Sequence, residues 1–299
     1  MKRVKIKEGS ILTQRTNIEK VIYAIVFVLF VVYAATLIFP FLWLIINSLE
    51  DPIMYNVNVT IHGAFRLPGK PFFSNYITAF SKMVYNETNF IGMLCNSLWY
   101  IGLGSTWCVF WPVLTGYVMA KYSFKGKEVI HTIAIFCLTI PLVGQSGFAY
   151  KLYAMMHIYD TGPLFVIITG VNGFSSSYLI YLSIFKNISW SYAESVFVDG
   201  GGNATAFFRI MLPQAMPAIS AMIVQGAIGL WNEYYSIMMF MPSTTTVAVG
   251  LYQVSLNITR FGQPLYYAGL VIATIPLVIV YGLMSGNMMK NLTIGGLKG

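Results

Sequence analysis

Six apolar runs, at residues 21–49, 90–120, 129–149, 163–185, 213–241 and 265–289, recur along this chain. A helix rises about 1.5 Å per residue, so roughly 20 apolar residues cross the hydrocarbon core of a bilayer, and each run is long enough. No water satisfies exposed N–H and C=O groups in that core, so a crossing segment keeps its hydrogen bonds internal. The expected fold is an all-α integral membrane protein with six transmembrane helices. Composition agrees: of 299 residues, 57% are hydrophobic and 9% charged, against roughly a quarter charged in soluble domains. The first run is too long, and wrongly flanked, for a cleaved signal peptide, and is expected to persist as a helix.

The net charge of +8 invites a nucleic-acid reading. An excess of Lys and Arg in cytoplasmic loops explains it better. With the N-terminus inside, thirteen basic residues fall on inner segments, among them Lys121, Lys125, Lys127, Lys186 and Arg209. Five fall outside: Arg66, Lys70, Lys82, Lys151 and Arg260. Both termini are therefore expected in the cytoplasm. The chain divides into a cytoplasmic segment at 1–20, a transmembrane domain at 21–289 and a cytoplasmic tail at 290–299. The bilayer is the expected environment, and nucleic acid is not an expected partner. Cys95, Cys108 and Cys137 all lie within runs, which argues against a disulfide framework and for small core residues.

The outer segment 50–89 carries Pro52, Gly63, Pro68, Gly69 and Pro71, which disfavour regular helix. In the third run, Pro141, Gly144 and Gly147 surround Gln145 and Ser146, so that helix should bend or break at membrane depth, where irregular backbone must face protein or water. Gln145, Ser146 and Tyr150 then lie beside a cavity, or Gln145 and Ser146 bond a neighbouring helix. The fifth run holds Trp231, Asn232 and Glu233. Glu233 is the one carboxylate expected within a span, and it either faces a translocation path or closes a polar network. His62, His131 and His157 are scattered, so neither a metal site nor a catalytic centre is expected.

Residues 186–213 have too few consecutive apolar positions to span but carry strong helix signals. Ser191 followed by Glu194 reads as a capping box, starting a helix of about two turns. Gly200, Gly201 and Gly202 end it, since glycine accepts the positive φ of a helix stop. Asn203 can cap a second helix, on which Phe207, Ile210 and Met211 share a face. Pro213 suits the first turn of the fifth span.

These residues resemble the integral-membrane subunits of binding-protein-dependent ABC importers, whose loop signature is E-A-A-x3-G-x9-I-x-L-P. Glu194, Gly200, Ile210, Leu212 and Pro213 occupy those positions at full spacing. Ser195 and Val196 replace the two alanines, and Val196 is the larger, β-branched residue to fit against a partner groove. The likeness narrows to the carbohydrate-uptake permeases of the maltose type. Asn75 and Tyr76, Asn96 and Ser97, Gly116 and Tyr117, residues 124–127, Trp231 to Glu233, and the tail 292–299 are similar to that group's pattern.

The resemblance implies a cytoplasmic coupling-helix loop in which Ser191, Glu194, Ser195, Val196, Asp199, Gly200, Ile210, Leu212 and Pro213 meet the ATPase. It also implies a tail, through Thr293, Gly295, Gly296, Lys298 and Gly299, that reaches the ATPase interface. The chain lacks G-x-x-x-x-G-K-[ST] and is not expected to be an enzyme. The implied assembly has two ATPase subunits carrying ATP and Mg, a second permease subunit forming a heterodimer, and an extracytoplasmic solute-binding protein, all at a prokaryotic inner membrane. The expected translocation path takes Gln145, Tyr150, Trp231, Asn232 and Glu233. The alternatives are an ion-coupled secondary transporter, which would need more intramembrane carboxylates or an inverted repeat, and an importer permease for a non-sugar solute.

Overall fold

The computed structural model describes residues 17–292 apart from 64, 66 and 141–143, with no side-chain description at 145, 260 and 283–292. Its first helix, α1 (Asn17–Ser48), exposes every residue from Asn17 to Leu42. A 32-residue apolar helix about 48 Å long with so little protein cover is stable only where its surroundings are themselves apolar. Its C-terminal end is anchored: Asn75 Nδ2 donates to Ser48 O and Glu50 O at 2.8 Å each, and the Tyr76 and Ser48 hydroxyls lie 2.6 Å apart. These bonds satisfy carbonyls that a helix end leaves without partners.

Residues 50–89, expected to be irregular, contain α2 (Tyr55–His62), α3 (Ser74–Lys82) and a two-residue ribbon of β1 (Val84–Tyr85) and β2 (Thr88–Asn89). The prolines and glycines lie between these elements rather than inside them. α4 (Phe90–Lys121) is the central helix, packed on α3 and four later elements. Asn89 caps it, accepting from Gly92 N at 2.8 Å.

The third run is not one helix, in line with the glycine signal at Gly144. α5 (Lys127–Thr139) ends, and α6 (Gln145–Met155) follows Gly144 at φ +74°. The fourth run, expected to be one span, is also broken, into α7 (Pro163–Thr169) and α8 (Tyr178–Asn187). Its glycines at 170 and 173 and serines at 175–177 have weak helix propensity, and α4 receives carbonyls around the gap. Trp107 Nε1 donates to Ile167 O at 2.8 Å, and Thr115 Oγ1 donates to Gly173 O.

The loop helix α9 (Ser191–Val198) is followed by a continuous helix made of α10 (Asn203–Thr205), a π turn (Ala206–Met211) and α11 (Leu212–Trp231). Then come α12 (Tyr235–Phe240), α13 (Val247–Leu256), α14 (Ile258–Phe261) and α15 (Gln263–Leu292). Among the described residues four helical stretches are long and apolar enough to cross a membrane: Asn17–Ser48, Phe90–Lys121, Asn203–Trp231 and Gln263–Gly282. This is a multi-pass membrane protein. The three cysteines are exposed on the chain, so they are not the core residues expected of them.

The two ends of α4 gather different loops. At its Lys121 end, Lys121 Nζ donates to Ile188 O and Tyr122 Oη to Asn203 Oδ1 at 3.1 Å, joining the turn before α5 to the loop 186–213. At its Phe90 end, Asn96 Nδ2 donates to Thr245 O and Ser97 Oγ accepts from Val247 N, both at 2.9 Å. Close by in sequence, Asp160 accepts from Ser243 N at 3.0 Å and Ser243 Oγ at 2.6 Å.

Candidate functional site

The loop from α8 to α11 folds on its own apolar face. Ala193 and Val196 of α9 and Ala206, Phe207 and Met211 of the π turn are buried in one cluster with Val113 and Tyr117 of α4 and Tyr181 and Phe185 of α8. Tyr117 stands at its centre, 4.6 Å from Phe207 and 5.4 Å from Phe185 between ring centroids. Residues 193, 196 and 207 thus bind the loop rigidly to the helices above it, because burial at this spacing holds a short helix that propensity alone would not.

The start of α9 differs from the expected capping box. Ser191 lies inside the first turn, Trp190 takes the cap position without a side-chain bond, and Ser189 Oγ accepts from Ser191 N at 3.3 Å. The Glu194 carboxylate is exposed and meets no hydrogen-bond donor among the described residues. It remains well placed against the positive end of the helix dipole. Asn203 does not cap either; its Oδ1 takes the Tyr122 hydroxyl.

The end of α9 follows the glycine signal. Gly200 has φ +80°, Gly201 N donates to Val196 O at 2.8 Å and Gly200 N to Phe197 O at 3.1 Å, the two bonds of a Schellman stop. Gly201 is fixed by space: a Cβ there would lie 2.5 Å from Val196 Cγ1.

Val196 is 9% exposed and faces this internal cluster. It is therefore not the groove-facing residue it was expected to be. The outward face of α9 is Tyr192, Glu194, Ser195 and Val198, the last 86% exposed, with Asp199 beyond it. Ile210 and Leu212 pack half-buried against the cluster, and Pro213 is exposed. Pro213 lies in the first turn of α11, as expected, although the helix runs into it unbroken from α10. It follows a π turn in which Leu212 N bonds to Phe207 O, five residues back. The wider turn relieves the clash of a proline ring with the carbonyl four residues earlier, so the loop passes into α11 without interruption.

The expected path residues separate. Trp231 and Asn232 line a cleft of about 290 Å³ with Tyr234, Tyr252 and Tyr266, where Tyr234 and Tyr252 stack at 4.4 Å. Glu233 lies not within a helix but in the break after α11, where its Oε1 accepts from Ser236 N at 2.8 Å and caps α12. Tyr150 sits outside this group, edge-on to Tyr159 at 5.1 Å. Burial, then Tyr150 and Asp160, raise the Tyr159 phenol above its ordinary range. Of Gln145 only the backbone is described, opening α6. The tail residues Thr293, Gly295, Gly296, Lys298 and Gly299 lie outside the described residues. Sequence reasoning missed Ser189, whose signal was a second serine two positions before Ser191, and gave no role to Tyr117, whose position on α4 carries no hint of Phe207.

Residues 113–292 match the family of binding-protein-dependent transport system inner membrane components. The arabinooligosaccharides transport system permease protein AraQ of Bacillus subtilis is 27% identical, covering 93% of this chain and 97% of that relative. The trehalose/maltose permease protein MalG of Thermococcus litoralis is 26% identical over 90% and 94%, and the sulfoquinovosyl glycerol permease protein SmoH of Agrobacterium fabrum 23% over 88% and 89%. A chain from the crystal structure of a bacterial ABC transporter that imports alginate superposes with a TM-score of 0.75 at 20% identity, covering 91% of this chain and 98% of that one, so the two share a fold. With the match extending over more than half of its length, including the whole of the loop and the helix above it, the chain belongs to the inner-membrane components of binding-protein-dependent transport systems.

Proposed function

We propose that this chain is one of two permease subunits of an ATP-driven importer for a saccharide, coupled to its ATPases through α9. The observation that carries the reading is the division of α9 into two faces. Ala193 and Val196 bind it into the same core as α4, α8 and α11, while Tyr192, Glu194, Ser195 and Val198 are left outward. A push on the outer face is carried by packed side chains into the spans, as a rigid-body movement between two states. ATP and Mg sit on the partner ATPases.

In this reading the chain crosses six times, with α5 and α6 forming the third crossing and α7 and α8 the fourth, and both termini are cytoplasmic. The clustering of Lys121, Lys186 and Arg209 at one end of α4 supports that orientation. The tail 293–299 reaches the ATPase interface, and a solute-binding protein docks at the opposite end, as the relatives' membership of binding-protein systems supports. The saccharide substrate rests on the relatives' names.

The test is purification of the native complex in mild detergent. Two ATPase copies and a second, different permease should accompany the chain, and the cognate binding protein should bind a saccharide. A chain that purifies alone and drives uptake from an ion gradient refutes the importer reading. A cognate binding protein that takes an amino acid or a polyol refutes only the substrate class.

A further inference from the structure

The apolar face of α2 finds no cover among the described residues. Asp51 Oδ1 accepts from Ile53 N at 2.9 Å and fixes the turn into the helix. From that turn Ile53, Val57 and Ile61 fall four residues apart on one face, and all three are exposed, Ile53 by 87%. The opposite side ties the helix to the end of α1. Tyr55 Oη donates to Asn47 Oδ1 at 3.0 Å, and Asn58 Nδ2 to Glu50 Oε2 at 3.4 Å. These bonds hold the apolar stripe outward.

The chain then returns along α1. Tyr55 is bonded at Asn47, but Phe65 meets Phe39, at 5.5 Å between ring centroids, about 12 Å back down the helix. There it closes an apolar notch with Phe39, Pro40 and Trp43. Residues 53–65 therefore lie beside the bare apolar part of α1, and water at this level would wet both apolar surfaces at once. Thr60 Oγ1 donates to Asn56 O at 2.8 Å, so its hydroxyl is satisfied within the helix.

We infer that α2 and the turn to Phe65 form an interfacial element embedded in the outer leaflet, with Ile53, Val57, Ile61 and Phe65 among phospholipid chains. The word outer rests on the importer reading, with both termini cytoplasmic; the lipid contact does not. Continuity with α1 selects lipid over a protein partner. A neighbouring subunit covers one side of a helix, whereas α1 is exposed at every residue from Asn17 to Leu42. Residues 21–48 make about 42 Å of uncharged helix against a hydrocarbon core of about 30 Å. A short helix lying in the interface fixes the height of its outer end.

The complex purified from native membranes is reconstituted in vesicles of phosphatidylethanolamine and phosphatidylglycerol. Val57, Ile61 and, as a reference, Glu87 in the exposed turn between β1 and β2 are replaced in turn by p-benzoylphenylalanine. All three side chains are on the surface, so the variants should assemble. After illumination, adducts are identified by mass spectrometry. Phospholipid adducts at Val57 and Ile61 should exceed those at Glu87 by about fivefold or more, as for side chains lodged at the acyl boundary. Adducts chiefly to the second permease or to added binding protein at either position overturn the proposal, as do lipid yields no higher than at Glu87. ATPase content and uptake decide the importer reading separately, because the adduct reports what touches α2 whatever drives transport.

Discussion

The Tyr117 ring of α4 lies tilted on the Phe207 ring of the π turn, with centroids 4.6 Å apart. One contact therefore joins the central helix of the fold to the loop that leads into α11. Tyr117 also meets Phe185 at 5.4 Å and Tyr122 at 5.7 Å, and Tyr122 meets Trp190 at 5.7 Å, so an aromatic chain runs from α9 to α4. Tyr117→Ala should remove a contact worth on the order of 3–5 kcal/mol when truncated in a core. The expected outcome is a lower unfolding temperature in detergent and ATP hydrolysis no longer stimulated by binding protein. Stimulation at the wild-type level would show that the contact does not transmit.

Val196 and Val198 are two residues apart on α9 and should behave oppositely. Val198→Asp, at an exposed position, should leave the unfolding free energy of the chain within about 0.5 kcal/mol of wild type yet weaken retention of ATPase subunits on purification. Val196→Asp should destabilise the chain itself, because it buries a carboxylate in the cluster. If Val198→Asp retains its ATPases in full, the outward face of α9 is not the contact.

Gly200 tests the turn. Nothing lies within 4 Å of where its Cβ would be, so the cost of a side chain there comes from φ +80° alone. Gly200→Ala should cost about 1 kcal/mol, and Gly200→Val more, because a β-branched residue is disfavoured at positive φ. We expect Gly200→Val to insert at wild-type levels, measured as chain in the membrane fraction, and to lose uptake. Wild-type uptake would remove the coupling role from this turn.

Glu233 distinguishes a cap from a charge in the passage. Glu233→Gln keeps an oxygen for Ser236 N, whereas Glu233→Ala loses the cap at a cost of about 1 kcal/mol. Transport rates should rank wild type close to Glu233→Gln, with Glu233→Ala lower. A Glu233→Gln variant that folds normally but does not transport would show that the negative charge itself is used.

At Gly116 a Cβ would stand 2.8 Å from Tyr181 Cβ and 3.0 Å from Leu182 N, atoms held by backbone and unable to yield. Gly116→Ala should force α4 and α8 apart, costing about 1–3 kcal/mol, visible as a lower melting temperature. An unchanged value would mean that the helix pair can slide.

The order of residues places this chain in a membrane, since long apolar runs recurring along it have no other stable setting. It also determined the break at Gly144 and the stop at Gly200, because glycine and proline act through local backbone geometry and need no neighbour. The charge count set an expected orientation for the loops, and Lys121, at one end of α4, donates to Ile188 O of the loop 186–213. Tertiary structure alone decided the rest. Val196 faces inward because Phe207 and Tyr117 are there to cover it, which no local rule reports. Residues 170–177 leave the helix where Trp107 and Thr115, more than fifty residues earlier, donate to the carbonyls of Ile167, just before the segment, and Gly173 within it. The helix enters α11 through a π turn whose Phe207 and Met211 are buried against α4 and α8, neighbours that no local pattern names. Periodicity specifies which residues prefer to be buried; only the arrangement of helices specifies what they are buried against.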